Sequence, residues 1–202
     1  MKRFLILFLI IAMMAGATSA DEITMFTGPA YTYDEILRDL DDSSFSIGYE
    51  NEKGIYYFVA EDFLDTGYVY ISESDIVSLR KTIDKYLEWE ALAVEKQVTL
   101  EKAIPDSTIS GPVVFRFGDD WYSASALELY FSFLSQNENR HQLVINSNKV
   151  ESRTNSFIDY KIETLYLDKE QVLLFKDGIS EEAFTKKLDD FEDQKDVDSM
   201  FN

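Results

Sequence analysis

Catalysis at a protein site needs nucleophiles, bases or metal ligands, and this chain carries few of the strong ones. Its 202 residues hold one histidine, His141, and no cysteine. With no thiolate and one imidazole, the common structural zinc sets cannot be assembled and most catalytic ones are disfavoured. No Gly-x-Ser-x-Gly elbow offers a serine for His141 to activate. His141 therefore reads as a polar loop residue at a turn-to-strand junction. The eight glycines are scattered and form neither a phosphate loop nor a dinucleotide fingerprint.

Carboxylates are abundant, so pairs of them carry little information. Asp39, Asp41 and Ser43 begin like a calcium loop, and Glu50 stands at its twelfth position. The sixth position needs glycine and is Ser44, and the FSIGYE that follows reads as strand. A solvated turn is the better account. Glu61 and Asp62 with Asp65, and Asp119-Asp120 beside Trp121, have the makings of a metal site or a glycosidase-like pair, yet turns are where Asp and Gly belong. No metal-ligand set, catalytic residue or cofactor is assigned.

Aromatic residues are the other candidates: Tyr56, Tyr57, Phe58, Tyr68, Tyr70, Trp121, Tyr122 and Tyr130. An exposed row of them would stack on sugar rings or grip a partner's side chains, although core and cross-strand pairing is the commoner use. The turn Gly118-Asp119-Asp120 should set the next two residues at a sheet rim. Trp121, Tyr122, Asp119 and Asp120 are thus the expected ligand-binding residues.

These residues need elements to hold them. YTYDEILRDL, residues 31–40, reads as a short helix capped by Thr32, with Ile36, Leu37 and Leu40 on one side. SSFSIGYE and GIYYFVAE flank a polar Gly-containing turn and predict a hairpin, and YVYIS predicts a third strand. Ser72 and Asp75 then form a capping box. Apolar residues at Ile76, Leu79, Ile83, Leu87, Ala91, Val94 and Val98 follow at steps of three and four. That spacing predicts one long helix over residues 73–103, stopped before Pro105. Tyr86, Trp89 and Leu92 lie on its flank as a candidate interface, serving either packing within the chain or pairing of two subunits.

Val113, Phe115 and Phe117 alternate as a strand. Residues 121–134 are apolar on both faces and read as a strand covered on both sides, with a helix from Ser125 as the competitor. HQLVINS is a further strand and residues 146–156 a loop. Residues 160–167 alternate again, and Asp168 with Gln171 repeats the strand–cap–helix junction, with Val172 and Phe175 spaced like Ile76 and Leu79. Asp177-Gly178 should end that helix and Ser180 start another.

The echo suggests two β-hairpin–β–α halves, residues 43–104 and 111–192, or the recurrence of a common junction. Both versions give the same expected fold class. It is α+β: an antiparallel or mixed sheet packed against the long helix and a C-terminal helix, in one domain over residues 21–192, with a charged tail at 193–202.

Residues 1–20 have the form of a cleavable secretory signal: Lys2 and Arg3, an apolar run from Phe4 to Met14, then small residues to Ala20. That run falls short of the ~20 residues that span a bilayer. The formal charge is −19; the leader carries two of the cations and no acid, so a chain cut after Ala20 stands at −21. Such a surface repels nucleic-acid phosphates and anionic lipid. It serves solubility first, and a cationic partner or divalent cations second. The expectation is a secreted or periplasmic, non-enzymatic protein, inserted in no membrane after signal cleavage, that binds a protein or cell-envelope component. A carboxylate-dependent hydrolase of cell-wall or carbohydrate substrate and a structural homo-oligomer are the rival readings.

Overall fold

The computed structural model describes residues 22–60 and 66–199. The expected signal at 1–20 and the acids Glu61, Asp62 and Asp65 lie outside the described residues. The elements run β1 (Glu22–Asp34), β2 (Asp39–Glu50), β3 (Ile55–Ala60), β4 (Gly67–Ile71), α1 (Glu73–Lys96), β5 (Leu100–Ala103), β6 (Ile109–Phe117), β7 (Asp120–Asn137) and β8 (Arg140–Ser147), then β9 (Val150–Glu151), β10 (Asp159–Tyr160), β11 (Leu165–Asp168), α2 (Lys169–Gly178) and α3 (Glu181–Ser199).

The expected sheet packed on a long helix is wrong. Eight strands, in the order β1-β2-β3-β4-β6-β7-β8-β11, each pair antiparallel with the next, and β11 returns to β1 to close a barrel. The reason is that the strands come as two four-stranded meanders, β1–β4 and β6-β7-β8-β11, whose edges meet twice. Closure removes both open edges, which in a free sheet would invite pairing with other chains. β5 adds a short ninth strand beside the second half of β7.

Three local expectations fail with it. Residues 31–40 are the β1–β2 hairpin, not a helix. Tyr31, Thr32 and Tyr33 pair with Asp42, Asp41 and Leu40. The Asp34 carboxylate accepts the N–H groups of Ile36 and Leu37 at 2.6 and 2.8 Å, and Arg38 closes the turn at φ +55°. A side-chain cap can serve a turn as well as a helix, and Ile36, 92% exposed, has no core to face. The long helix ends at Lys96 rather than 103, because Gln97 takes a left-handed conformation and returns its N–H to Ala93; β5 occupies the expected last turn. Residues 160–167 are not one strand: Tyr160 ends β10, which pairs with β9 in a separate two-stranded sheet, residues 161–164 belong to no strand, and β11 in the barrel begins at Leu165.

The interior is occupied by a continuous cluster of buried apolar side chains. Phe45 and Ile47 on β2, Val69 and Ile71 on β4, and Val113 and Phe115 on β6 are all buried. Because the strands alternate in direction, β4 and β11 point the same way, so α1 and α2 start at one end of the barrel. From there α1 contributes Ile76, Leu79, Ile83 and Tyr86, and α2 contributes Val172 and Phe175, to the same continuous core. The Phe175 ring stands edge-on to Phe45 at 4.7 Å and stacks on Phe26 at 5.1 Å. At the other end Tyr160 stacks on Phe115 at 4.9 Å. An eight-stranded barrel is just wide enough for side chains to fill, and here helices and a loop complete the filling.

The two strand-to-helix junctions form as the spacing predicts. Ser72 Oγ accepts the Asp75 N–H at 3.3 Å, and Asp75 accepts the Ser72 N–H at 2.8 Å; Gln171 accepts the Asp168 N–H at 2.7 Å. Ser72→Ala should cost about 1 kcal/mol, read as a lower urea midpoint with unchanged slope.

Candidate functional site

Alternation on β3 and β4 turns Phe58, Val69 and Ile71 inward and Tyr57, Tyr68 and Tyr70 outward. β6 and β7 add Val114 and Trp121 to the same outer face. Register joins them into one row, since Tyr57 sits opposite Tyr70, Tyr68 opposite Val114, and Arg116 opposite Trp121. Tyr57 lies 5.5 Å from Tyr68 and 6.5 Å from Tyr70, with its ring plane at 69° and 71° to theirs. Tyr68 reaches Trp121 at 5.9 Å, tilted by 43°. Trp121 is 54% exposed.

Gly48 makes room for this arrangement. It pairs with Tyr57 across β2 and β3, and a Cβ there would stand 2.0 Å from the Tyr57 ring. The tyrosine can therefore lie against bare backbone. Glu22 and Glu50, paired at the start of β1 and the end of β2, complete the lining. Together with Tyr57, Tyr68, Tyr70, Val114 and Trp121 they enclose an open concavity of about 230 Å³. Lys53 Nζ bonds Glu50 Oε1 at 2.6 Å.

Burial pushes the Tyr57 hydroxyl up to about 12, helped by the negative charge of Glu22 and by Tyr68, Tyr70 and Glu50. Tyr68 and Tyr70 rise for the same first reason, with Glu22 next for Tyr68 and Glu50 next for Tyr70. A folded-state value raised above the unfolded one contributes stability that is complete below the unfolded value, near 10, and is lost as pH climbs through the folded value. Stability should hold steady up to about pH 10 and fall between about 10 and 12, with tyrosinate absorbance in the folded chain lagging that in urea.

Of the four residues expected to bind a ligand, only Trp121 lines the concavity. Tyr122, its strand neighbour, turns inward and stacks on Phe115 at 6.0 Å. Asp119 is fully exposed and lies 3.5 Å from Arg116, and Asp120 pairs with Phe117 at the head of β7. The candidate interface also divides. Tyr86 is fully buried and donates its hydroxyl to the His141 carbonyl at 2.8 Å. Trp89 and Leu92 border an apolar groove of about 160 Å³ with Ala93, Val98, Leu100, Lys102 and Phe133.

His141 is a buried strand residue, not a loop residue. Its ring lies nearly parallel to Phe133 and its Nδ1 is 3.0 Å from Ser135 Oγ. Ser135 gives its only proton to the Val98 carbonyl at 2.6 Å, so Nδ1 carries the hydrogen and donates to Oγ. Nε2 is then a buried acceptor with no partner among the described residues. Ser135, 1% exposed and with its proton committed to a carbonyl, has no path to a substrate. Asp39, Asp41 and Glu50 are strung along extended β2 instead of wrapping a cation, and no acid–histidine group among the described residues is compact enough to hold a metal.

The wall offers the π faces of Tyr57, Tyr68, Tyr70 and Trp121 with the carboxylates of Glu22 and Glu50 beside them. No protein-family model, curated protein or solved structure matches this chain.

Proposed function

We propose that the chain is an exported, non-enzymatic binding protein that engages a protein or envelope component through the outer wall of its barrel, at Tyr57, Tyr68, Tyr70 and Trp121. One observation carries the reading. The barrel core is made of the chain's own side chains, whereas a row of aromatic rings is gathered on the outer face, ending at Trp121, which is 54% exposed. Export is supported by the leader-like residues 1–20, with Lys2 and Arg3 ahead of an apolar run and small residues up to Ala20. The acidic balance favours a partner that is neither nucleic acid nor anionic lipid.

The test is capture of envelope material on immobilised protein starting at residue 21. Tyr68→Ala with Trp121→Ala should abolish capture, and Leu92→Ala, on the groove of α1, should leave it intact. Equal capture by all three proteins would reject the wall as the binding surface.

A further inference from the structure

Building on that reading, we infer that the aromatic concavity receives a lysine side chain presented by a basic protein partner. The face of an aromatic ring is negative, so it attracts a cation as a carboxylate does. In this concavity three tyrosines and a tryptophan stand with Glu22 and Glu50 around Val114, and the ring faces and the two carboxylates act in the same sense on an ammonium. A neutral sugar would gain stacking from one flat platform. These rings instead meet as a corner, with Tyr57 at 69° and 71° to its two neighbours, and a compact charged head fits a corner better than a flat ring does.

The chain's own lysines illustrate the chemistry. Lys53 places its ammonium on Glu50 at the edge of this concavity, leaving Glu22 and the open face of Trp121 for a second one. At the other tryptophan, Lys102 Nζ lies 4.7 Å from the ring centre of Trp89 and Lys85 Nζ 5.6 Å. A formal charge of −19 would draw a basic partner in from a distance, and the wall would then fix where it docks.

The experiment uses the chain from residue 21 with Trp89→Phe, so that Trp121 is the sole tryptophan. Tetralysine, tetraglutamate and cellotetraose are titrated at about 0.15 M salt, where exposed charges are screened beyond ~8 Å, and Trp121 emission is followed. Tetralysine alone should change it, saturably. Tyr68→Leu, which keeps the apolar bulk and removes the ring, should weaken binding about tenfold. Glu22→Gln should weaken it severalfold, and Asp41→Asn with Asp42→Asn, at the far end of β2, should leave it unchanged. A response to cellotetraose instead of tetralysine overturns the inference while leaving the wall as a binding surface. Equal loss from the Asp41/Asp42 variant overturns it by showing diffuse attraction. Silence with all three probes overturns it too, and capture by the unmodified wall then decides the wider reading separately.

Discussion

Gly111→Ala should open the barrel at the β4–β6 seam and lower stability by roughly 3 kcal/mol or more. A Cβ on Gly111 would lie 1.8 Å from the Tyr70 carbonyl oxygen. That obstacle is backbone, so no rotamer change relieves it, and one of the strands must move. The seam has little to spare. Its register pairs are Gly67 with Phe115, Tyr68 with Val114 and Val69 with Val113, and the register of β6 against β7 shifts between Gly111 and Val113. Pro112 in that shift has no N–H to add to either ladder. Gly118→Ala is the informative control. Nothing lies within 4 Å of its Cβ position, and only its φ of +63° opposes a side chain, so about 1 kcal/mol is expected. Urea unfolding of the two variants separates steric blockage from backbone preference. Similar small losses at both positions would mean that β4 and β6 are not so closely paired.

Phe175→Ala should cost about 3–5 kcal/mol. The ring is fully buried and is the contact through which α2 enters the barrel, touching Phe26 and Phe45 together. Phe26 is confined in turn, because a Cβ on Gly178 would stand 2.1 Å from its ring. Neighbours held this tightly cannot collapse into the space left behind, which places the expected loss toward the upper part of that range. Phe175→Leu keeps most of the volume and should lose markedly less. A loss under about 1 kcal/mol for the alanine variant would mean that α2 rests on the barrel surface.

How far the sequence reveals this molecule depends on the range of the force involved. Ser72 with Asp75, and Asp168 with Gln171, are capping pairs three residues apart, and both junctions were legible. β7 was legible as a strand because both of its faces are apolar; β6 and β5 lie along one of its edges and β8 along the other. Closure was not legible. Tyr31 meets Tyr166 across the β1–β11 seam, and no local pattern distinguishes a strand with one neighbour from a strand with two. The hairpin at residues 31–40 was hidden because Thr32, ahead of helix-forming residues, reads as a helix cap, whereas it lies in β1 opposite Asp41 and it is Asp34 that caps the turn.

That misreading also concealed half of the candidate site. Glu22 comes beside Glu50 only through the β1–β2 pairing, which a helix at 31–40 does away with. Tyr57, Tyr68 and Tyr70 stood out as aromatics, but their grouping depends on β3–β4 register and on Gly48. Tyr122 was chosen with Trp121 because both follow the Gly118-Asp119-Asp120 turn, yet successive strand residues face opposite ways. In the structure β1–β4 precede α1, and β6, β7, β8 and β11 are the barrel strands that precede α2, whereas the sequence predicts three strands before the first helix and four before the second.

The claim on which all of this rests is that β11 returns to β1, leaving ligands the outside of a full barrel. The absence of native cysteine allows a clean test. Tyr31→Cys with Tyr166→Cys places a thiol pair across the closing seam, and Val144→Cys with Tyr166→Cys places one across the β8–β11 pair within the second meander. After mild oxidation, intact-mass analysis should find both pairs joined within single chains. A disulfide in the Val144/Tyr166 protein alone, with free thiols at 31 and 166, would describe an open sheet and contradict the closed barrel.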